Sequence, residues 1–263
     1  MSESQFHRTS FARLTRYLMG ASLLMVIAAA ITACNSDNPV VLPVGQLRVA
    51  NAITDSNPID ATIVGIPSGI DNIGFGSGSG LKDAPDGSYR VQLTTTTSSG
   101  QATFSADSTP INKHHITTVY AVGKIAASTQ AAFVVLAPRT DVPANQTEFQ
   151  FVNASAATVG PVDVFVTAPG ATLIGVTPTA NLAFPASSTP ALIAPGTYEI
   201  RVTTRGNPLN VLFDSGPVGV TLSGGSSRQY GLLDNINPAI AAPIFLLVLS
   251  DTGGTAQIQN GSS

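Results

Sequence analysis

From residue 45 onward, apolar residues come in short runs that alternate with polar ones and stop at Gly, Pro, Asn or Asp. No long segment places them at helical spacing. Short alternating runs bounded by turn residues predict strands, and a succession of them predicts an all-β sandwich or barrel. Residues 198–202 show the period: Tyr198, Ile200 and Val202 fall on one face of a strand. Tyr89, Val91 and Leu93 keep the same phase, with Arg90 and Gln92 on the opposite face. The apolar run 239–249 is too short for a spanning helix and contains Pro243, so it reads as a buried strand. The strands lack regular aromatic girdles, which disfavours a transmembrane β-barrel.

The pattern occurs twice. Leu47-Arg48-Val49-Ala50-Asn51-Ala52 answers to Phe149-Gln150-Phe151-Val152-Asn153-Ala154, and Pro58-Ile59-Asp60 answers to Pro161-Val162-Asp163. The turn Pro85-Asp86-Gly87-Ser88-Tyr89 matches Pro195-Gly196-Thr197-Tyr198 with one residue fewer. Phe75 and Phe184 each lie fourteen residues before their Tyr, and Phe104 and Phe213 fifteen after it. Near the ends, Phe133-Val134-Val135-Leu136 parallels Phe245-Leu246-Leu247-Val248-Leu249, so the offset drifts from 102 to 112 residues between the first and last matches, as loop insertions between fixed strands would cause. Each copy has the size of one antiparallel β-sandwich domain, immunoglobulin-like or transthyretin-like in class. Pro195 fixes its own φ, and Gly196 is expected to supply a positive φ in the turn. The expected organisation is a sandwich over 47–141, a linker over 142–148, a second sandwich over 149–251 and a flexible tail over 252–263.

The N-terminus carries a different signal. Arg8, Arg13 and Arg16 precede an apolar run over 18–31, which ends in Ile31-Thr32-Ala33-Cys34. A positive start, an apolar stretch and small residues at a cut site make a bacterial secretory signal. The final four residues resemble a lipobox, the motif of bacterial lipoproteins. That resemblance implies a signal peptide over 1–33, cleavage before Cys34, lipid (palmitate among the acyl chains) on its thiol, and attachment to a membrane. Residues 34–46 then form a tether that extends to roughly 40 Å at most. Asn35 follows the cysteine where Asp would favour inner-membrane retention, so the expected location is the cell envelope with the outer membrane favoured.

Composition narrows the partners. Beyond residue 33 the chain keeps nine basic and fourteen acidic side chains, a formal charge of −5, with no basic run. Nucleic-acid binding rests on neutralising phosphates with Lys and Arg, so no nucleic-acid partner is expected. Cys34 is the only cysteine, which excludes intramolecular disulfides. A hydrophobic content of 43% is ample for a packed core.

The stretches "LRVANA…PIDATI", "PDGSYRVQLT" and "TTVYAVGK" in the first copy resemble the envelope family called domain of unknown function 4397. So do "FQFVNAS…PVDVFV" and "PGTYEIRVTT" in the second. The first copy departs from the family at Ala50-Asn51-Ala52, which lacks the usual His-Ala pair. The resemblance implies secreted or lipid-anchored bacterial β-domains, often in tandem, and no catalytic residues.

Candidate chemistry is sparse. Asp60 and Asp163 occupy matching positions but belong to no carboxylate cluster of the kind calcium needs, so bonds to nearby backbone are their expected role. His114 and His115 are adjacent, and neighbours on a strand point to opposite faces, which disfavours a shared metal. The loop Gly74-Phe75-Gly76-Ser77-Gly78-Ser79-Gly80 has neither phosphate-binding spacing nor a following Gly-Lys-Ser/Thr and reads as flexible. Ser79-x-x-Lys82 and Ser36-Asp37-Asn38 match two motifs of penicillin-recognising enzymes, but Lys-Thr-Gly is absent. No catalytic residue, metal site or cofactor is therefore expected, and the chain is not expected to be an enzyme.

The leading expectation is a non-catalytic binding or adhesive module for an envelope polysaccharide or protein. Phe75 and Phe184 are its candidate binding aromatics, set against plugs at the ends of the cores. It predicts an exposed patch common to both copies. A structural component of an envelope assembly would instead show an apolar patch or an open edge strand, and a hydrolase would need a cleft of convergent polar groups.

Overall fold

The computed structural model describes residues 44–261 except 68, 99, 139, 140, 159, 238, 240 and 241. The expected signal peptide, Cys34 and most of the tether lie outside the described residues. The described residues form strands and no helix, and 42–263 is one compact unit. The first half contains β1 (Val44–Asn51), β2 (Ile59–Ile63), β3 (Ile70–Ile73), β4 (Ser77–Gly78), β5 (Lys82–Pro85), β6 (Gly87–Thr97), β7 (Gly100–Ile111), β8 (His115–Val122) and β9 (Ala131–Pro138). The second half contains β10 (Thr147–Asn153), β11 (Val162–Thr167), β12 (Ala180–Leu182), β13 (Ala186–Ser187), β14 (Ala191–Ile193) and β15 (Gly196–Thr204). It continues with β16 (Val211–Asp214), β17 (Val220–Leu222), β18 (Ser226–Asp234), β19 (Ile244–Ser250) and β20 (Thr255–Ile258).

The same strand order appears in both halves. In the first, an inner sheet runs β4-β1-β8-β9 with β5 also on β1, and an outer sheet runs β3-β2-β6-β7. In the second, the inner sheet is β13-β10-β18-β19-β20 with β14 on β10, and the outer is β12-β11-β15-β16 with β17 on β15. The two sheets of each half enclose an apolar core. Leu47, Val49, Ile59, Val91, Leu93 and Val119 lead the first core, and Phe151, Val164, Ile200, Phe213, Tyr230 and Leu246 the second. The alternation read at Tyr89, Val91 and Leu93 thus turns its apolar side inward.

Four expectations need correction. The inner sheets are mixed rather than antiparallel, because β1 runs parallel to β8 and β10 parallel to β18. Each opening strand pairs with one reached through a whole outer sheet, and that crossover sets the direction. The tail 252–263 carries β20, which pairs with β19 from Leu246↔Ile258 to Leu249↔Thr255. Apolar alternation is absent there, so a backbone ladder rather than side-chain burial holds it. At the expected boundaries, Val44–Gln46 already pair with Asp83–Pro85, and β10 begins inside the expected linker at Thr147. Finally, Gly196 does not adopt a positive φ. A Cβ there would stand 3.3 Å from the Tyr198 ring, and one on Gly87 3.1 Å from the Tyr89 ring. Each tyrosine folds back over its glycine, and its hydroxyl donates to the carbonyl four residues upstream: Pro85 for Tyr89 at 3.0 Å and Ala194 for Tyr198 at 2.9 Å. The glycine therefore makes room for a ring that staples the turn, in the manner of a tyrosine corner.

The two inner sheets pack face to face. Ala50, Ala52, Tyr120, Val122, Phe133 and Val135 from the first meet Val152, Ala154, Leu233, Phe245, Leu247 and Leu249 from the second in a third apolar core. Tyr120 lies against Gly231, where a Cβ would stand 3.1 Å from its ring. These two residues hold equivalent places on β8 and β18, so one half supplies the ring and the other the hollow. The compact unit is thus four layers of sheet with three buried seams.

Candidate functional site

Most polar side chains singled out by the sequence hold the fold. Asp60 Oδ1 accepts the Asn72 N–H at 2.8 Å. Asp163 accepts from the Asn181 amide and from the Gly206 N–H at 2.6 and 2.7 Å. Ser79 Oγ accepts the Val49 N–H and donates to the Gly80 carbonyl. His114 is exposed, with φ near 63°, and His115 Nδ1 lies 2.9 Å from the Lys113 carbonyl. Among the described residues no three His, Cys, Asp or Glu stand close enough to hold a metal ion.

The candidate aromatics diverge. Phe75 stands edge-on to Phe245, with ring centroids 5.9 Å apart, and joins the seam between the halves. The Gly-rich loop around it is held rather than free: Ser77–Gly78 pair with β1, and the Gly76 carbonyl accepts from Gln257 at 2.8 Å. Phe184 remains 37% exposed, because Ala131 holds the register position in the first half that Phe245 holds in the second. The two rings are not brought together and form no shared patch.

The outer faces of the halves differ most. On the first outer sheet Thr62, Gln92 and Ser105 stand directly opposite one another across three strands, and Asp60, Thr94 and Thr103 form the next row. Neighbouring strands are ~4.8 Å apart and alternate residues ~7 Å apart, so these side chains form a flat polar grid. Arg90 and Asp107 close one end as an exposed ion pair at 3.1 Å. Among the described residues, the side chains of Thr62, Gln92, Thr94 and Thr103 make no hydrogen bond within the protein. In the second half Phe165, Arg201 and Thr203 take the places of Thr62, Gln92 and Thr94, and all three are buried. The cause is loop length. Residues 168–179 between β11 and β12 lie over that sheet, whereas 64–69 connect β2 to β3 directly. Arg201 donates to the Ala171 carbonyl and Thr167 hydroxyl, Glu199 accepts the Gly170 N–H, and Leu173 is buried.

A groove of about 660 Å³ continues the polar face around the loop end of the first half, lined by Thr54, Asp55, Asn57, Thr96 and Thr97. Burial would raise the Asp55 carboxyl, but the Ala126 and Ile125 N–H groups bond both its oxygens and hold it below the usual carboxylate range. A cleft of about 240 Å³ in the second half has Phe149 and Phe151 as its floor and Asn181, Ser187 and Thr189 on its rim. Both rings are almost fully buried, so they offer a ligand little face.

A much smaller cavity, about 10 Å³, lies on the seam and is lined by Arg48, Glu148, Gln150, Gln229 and Asp251 among others; it has room for a single water at most. Burial pushes the Glu148 carboxyl up, the Ser227 hydroxyl at 2.9 Å opposes this, and Asp251 adds to it. A carboxyl raised in this way binds its proton more tightly when folded. Its contribution is complete below the unfolded pKa and is lost as pH rises through the folded value. Glu148→Gln is therefore expected to raise the urea midpoint at roughly pH 7 and leave it unchanged at roughly pH 4; no gain at the higher pH would refute the assignment.

No curated protein matches the chain. A solved structure described as a "putative cell adhesion protein" from Bacteroides ovatus aligns at 14% identity, covering 83% of this chain and 97% of that one. Its TM-score is 0.24, too low for the likeness to carry an argument. The family model "Domain of unknown function (DUF4397)" matches residues 45–165, from β1 through the first half and on into β11.

Proposed function

We propose that this chain is a non-catalytic binding module of the bacterial envelope, built from two tandem β-sandwiches and carried on lipid at Cys34. The outer membrane is the preferred location, from Asn35. Its ligand is a polar polymer, with an envelope polysaccharide as first choice, laid across the outer sheet of the first half. The observation that carries the reading is the grid of unpartnered Thr62, Gln92, Thr94 and Thr103. Hydroxyls and amides at strand spacing offer both donors and acceptors to sugar hydroxyls, and a flat face suits an extended chain. The same positions in the second half are roofed over, so the grid is not a general property of this strand order. The non-catalytic part of the reading is supported by the employment of Ser79, Asp163 and Asp60 in bonds to the fold.

Residues 42–263, a compact unit with its own cores, would be sedimented with isolated peptidoglycan and with the surface polysaccharide of the source cells. Saturable binding is expected to one of them. Thr62→Ala/Gln92→Ala/Thr94→Ala is expected to weaken it roughly tenfold or more, an energy of about 1.4 kcal/mol. Phe184→Ala is expected to leave it within about twofold. Failure to bind either polymer, or loss with Phe184→Ala alone, would overturn the reading and favour the role in an envelope assembly.

A further inference from the structure

The second half finishes its inner sheet with β20, which pairs along β19. Among the described residues the first half has no such strand: the chain leaves β9 at Pro138 and next forms β10, and no described strand returns to pair along that edge. Among the described residues β9 hydrogen-bonds in a ladder only with β8; β7 of the outer sheet passes beside it without forming one. The effect on the core is visible residue by residue. Phe213 and Leu246 are fully buried and Val248 is 9% exposed. Their equivalents beside the open edge, Phe104, Ala132 and Val134, are only partly buried.

Proteins blunt exposed edges by shortening them, charging them or bending them, and the other edges here follow that practice. β3 has four residues including Asp71, and Asn72 sits at φ 60°. β7 carries Asp107 and Pro110 and a register shift against β6. β12, β16 and β20 have three or four residues. β9 is different: eight residues, Ala-Ala-Phe-Val-Val-Leu-Ala-Pro, without charge or register shift. Its sequence also complements itself. An antiparallel partner centred on Val134 sets Phe133 against Val135, Ala132 against Leu136 and Ala131 against Ala137. Each larger side chain then faces a smaller or equal one, and Leu136, 37% exposed, gains cover.

We propose that β9 is a dimerisation edge, on which a second copy of this chain adds its own β9 antiparallel about a twofold axis, joining the inner sheets of the first halves into one. Such a contact is isologous and closes on itself. It supplies by association the cover that β20 gives the second half within the chain. The inference does not rest on polymer binding, and the grid lies on the other sheet.

Sedimentation velocity on residues 42–263 across a range of concentrations is expected to show a monomer–dimer equilibrium. Ala131→Lys/Leu136→Lys changes two exposed positions on the edge, and the variant should melt like the parent. It is expected to weaken the dimer roughly tenfold or more. The register has its own check, because this segment contains no cysteine. In Ala132→Cys/Leu136→Cys the two thiols of one copy are ~13 Å apart along the strand and cannot bridge. Across the proposed pairing each faces its counterpart, so mild oxidation should yield a covalent dimer. A monomer at every concentration, a dimer indifferent to the two lysines, or absence of the crosslink would each overturn the proposal.

Discussion

Tyr120→Ala is expected to cost about 4 kcal/mol, in the range of large-to-small changes at fully buried aromatic positions. Tyr120 has no exposed surface and sits at the centre of the seam between the inner sheets. Removing its ring leaves a hollow against Gly231 that neither sheet can close, since each is stiffened by a separate core on its far side. It also strips Gln229 Oε1 of the hydroxyl that donates to it at 3.0 Å. Gln229 in turn donates to Gln150 at 2.8 Å, and Gln150 to the Ser188 carbonyl at 2.9 Å, so the loss falls on a linked series. Tyr120→Phe keeps the ring and should cost only about 1 kcal/mol. Urea unfolding separates the two effects. The parent should unfold in one transition because the halves share a buried seam, and Tyr120→Ala should lower the midpoint and broaden or split the curve. A cost below about 1 kcal/mol would mean that the seam contributes little to stability.

Arg48→Met is expected to destabilise by about 3 kcal/mol, the lower end for breaking a buried charged contact from one side. Arg48 is 2% exposed. Its Nε donates to Thr118 Oγ1 at 2.9 Å and its Nη1 to the Ser250 carbonyl, in the other half, at 2.7 Å. Burial brings its pKa down to about 10, while Tyr120 and Asp251 favour the charged form, so it stays protonated at neutral pH. Methionine would fill much of the volume but leave the Ser250 carbonyl without its donor and remove a positive charge that interacts with Asp251. Arg48→Lys keeps the charge but cannot repeat the two-directional bonding of the fork, and should recover only part of the loss. Chemical denaturation of the three proteins at neutral pH tests the order; equal stability of parent and Arg48→Met would remove the residue from the account of the seam.

The strand pattern was readable because the strands of the first outer sheet have one wet face, as at Val91 and Leu93 against Arg90 and Gln92. The doubled motif was readable because both copies keep the Asn that closes the opening strand: Asn51 bonds the Ile73 carbonyl and Asn153 the Leu182 carbonyl. The inner strands were harder. All seven residues of β10 and six of the seven in β19 are buried, the mark of a sheet covered on both sides. The apolar run within Ile244–Ser250 hinted at this, but in β1 and β10 Arg48 and Gln150 disguised the second buried face as a solvent face. The Gly-rich loop misled for a related reason: its glycines let β4 lie close to Leu249 and Phe245, and nothing local announces that approach.

The amino-acid sequence alone determined the all-β class and the strand period, because these depend on neighbours a few residues apart. Only the tertiary structure decided which outward faces stay wet. Tyr120 and Gly231, or Phe75 and Phe245, become partners by fitting surfaces more than a hundred residues apart along the chain, and one added loop at 168–179 was enough to roof one polar sheet while its counterpart stayed open.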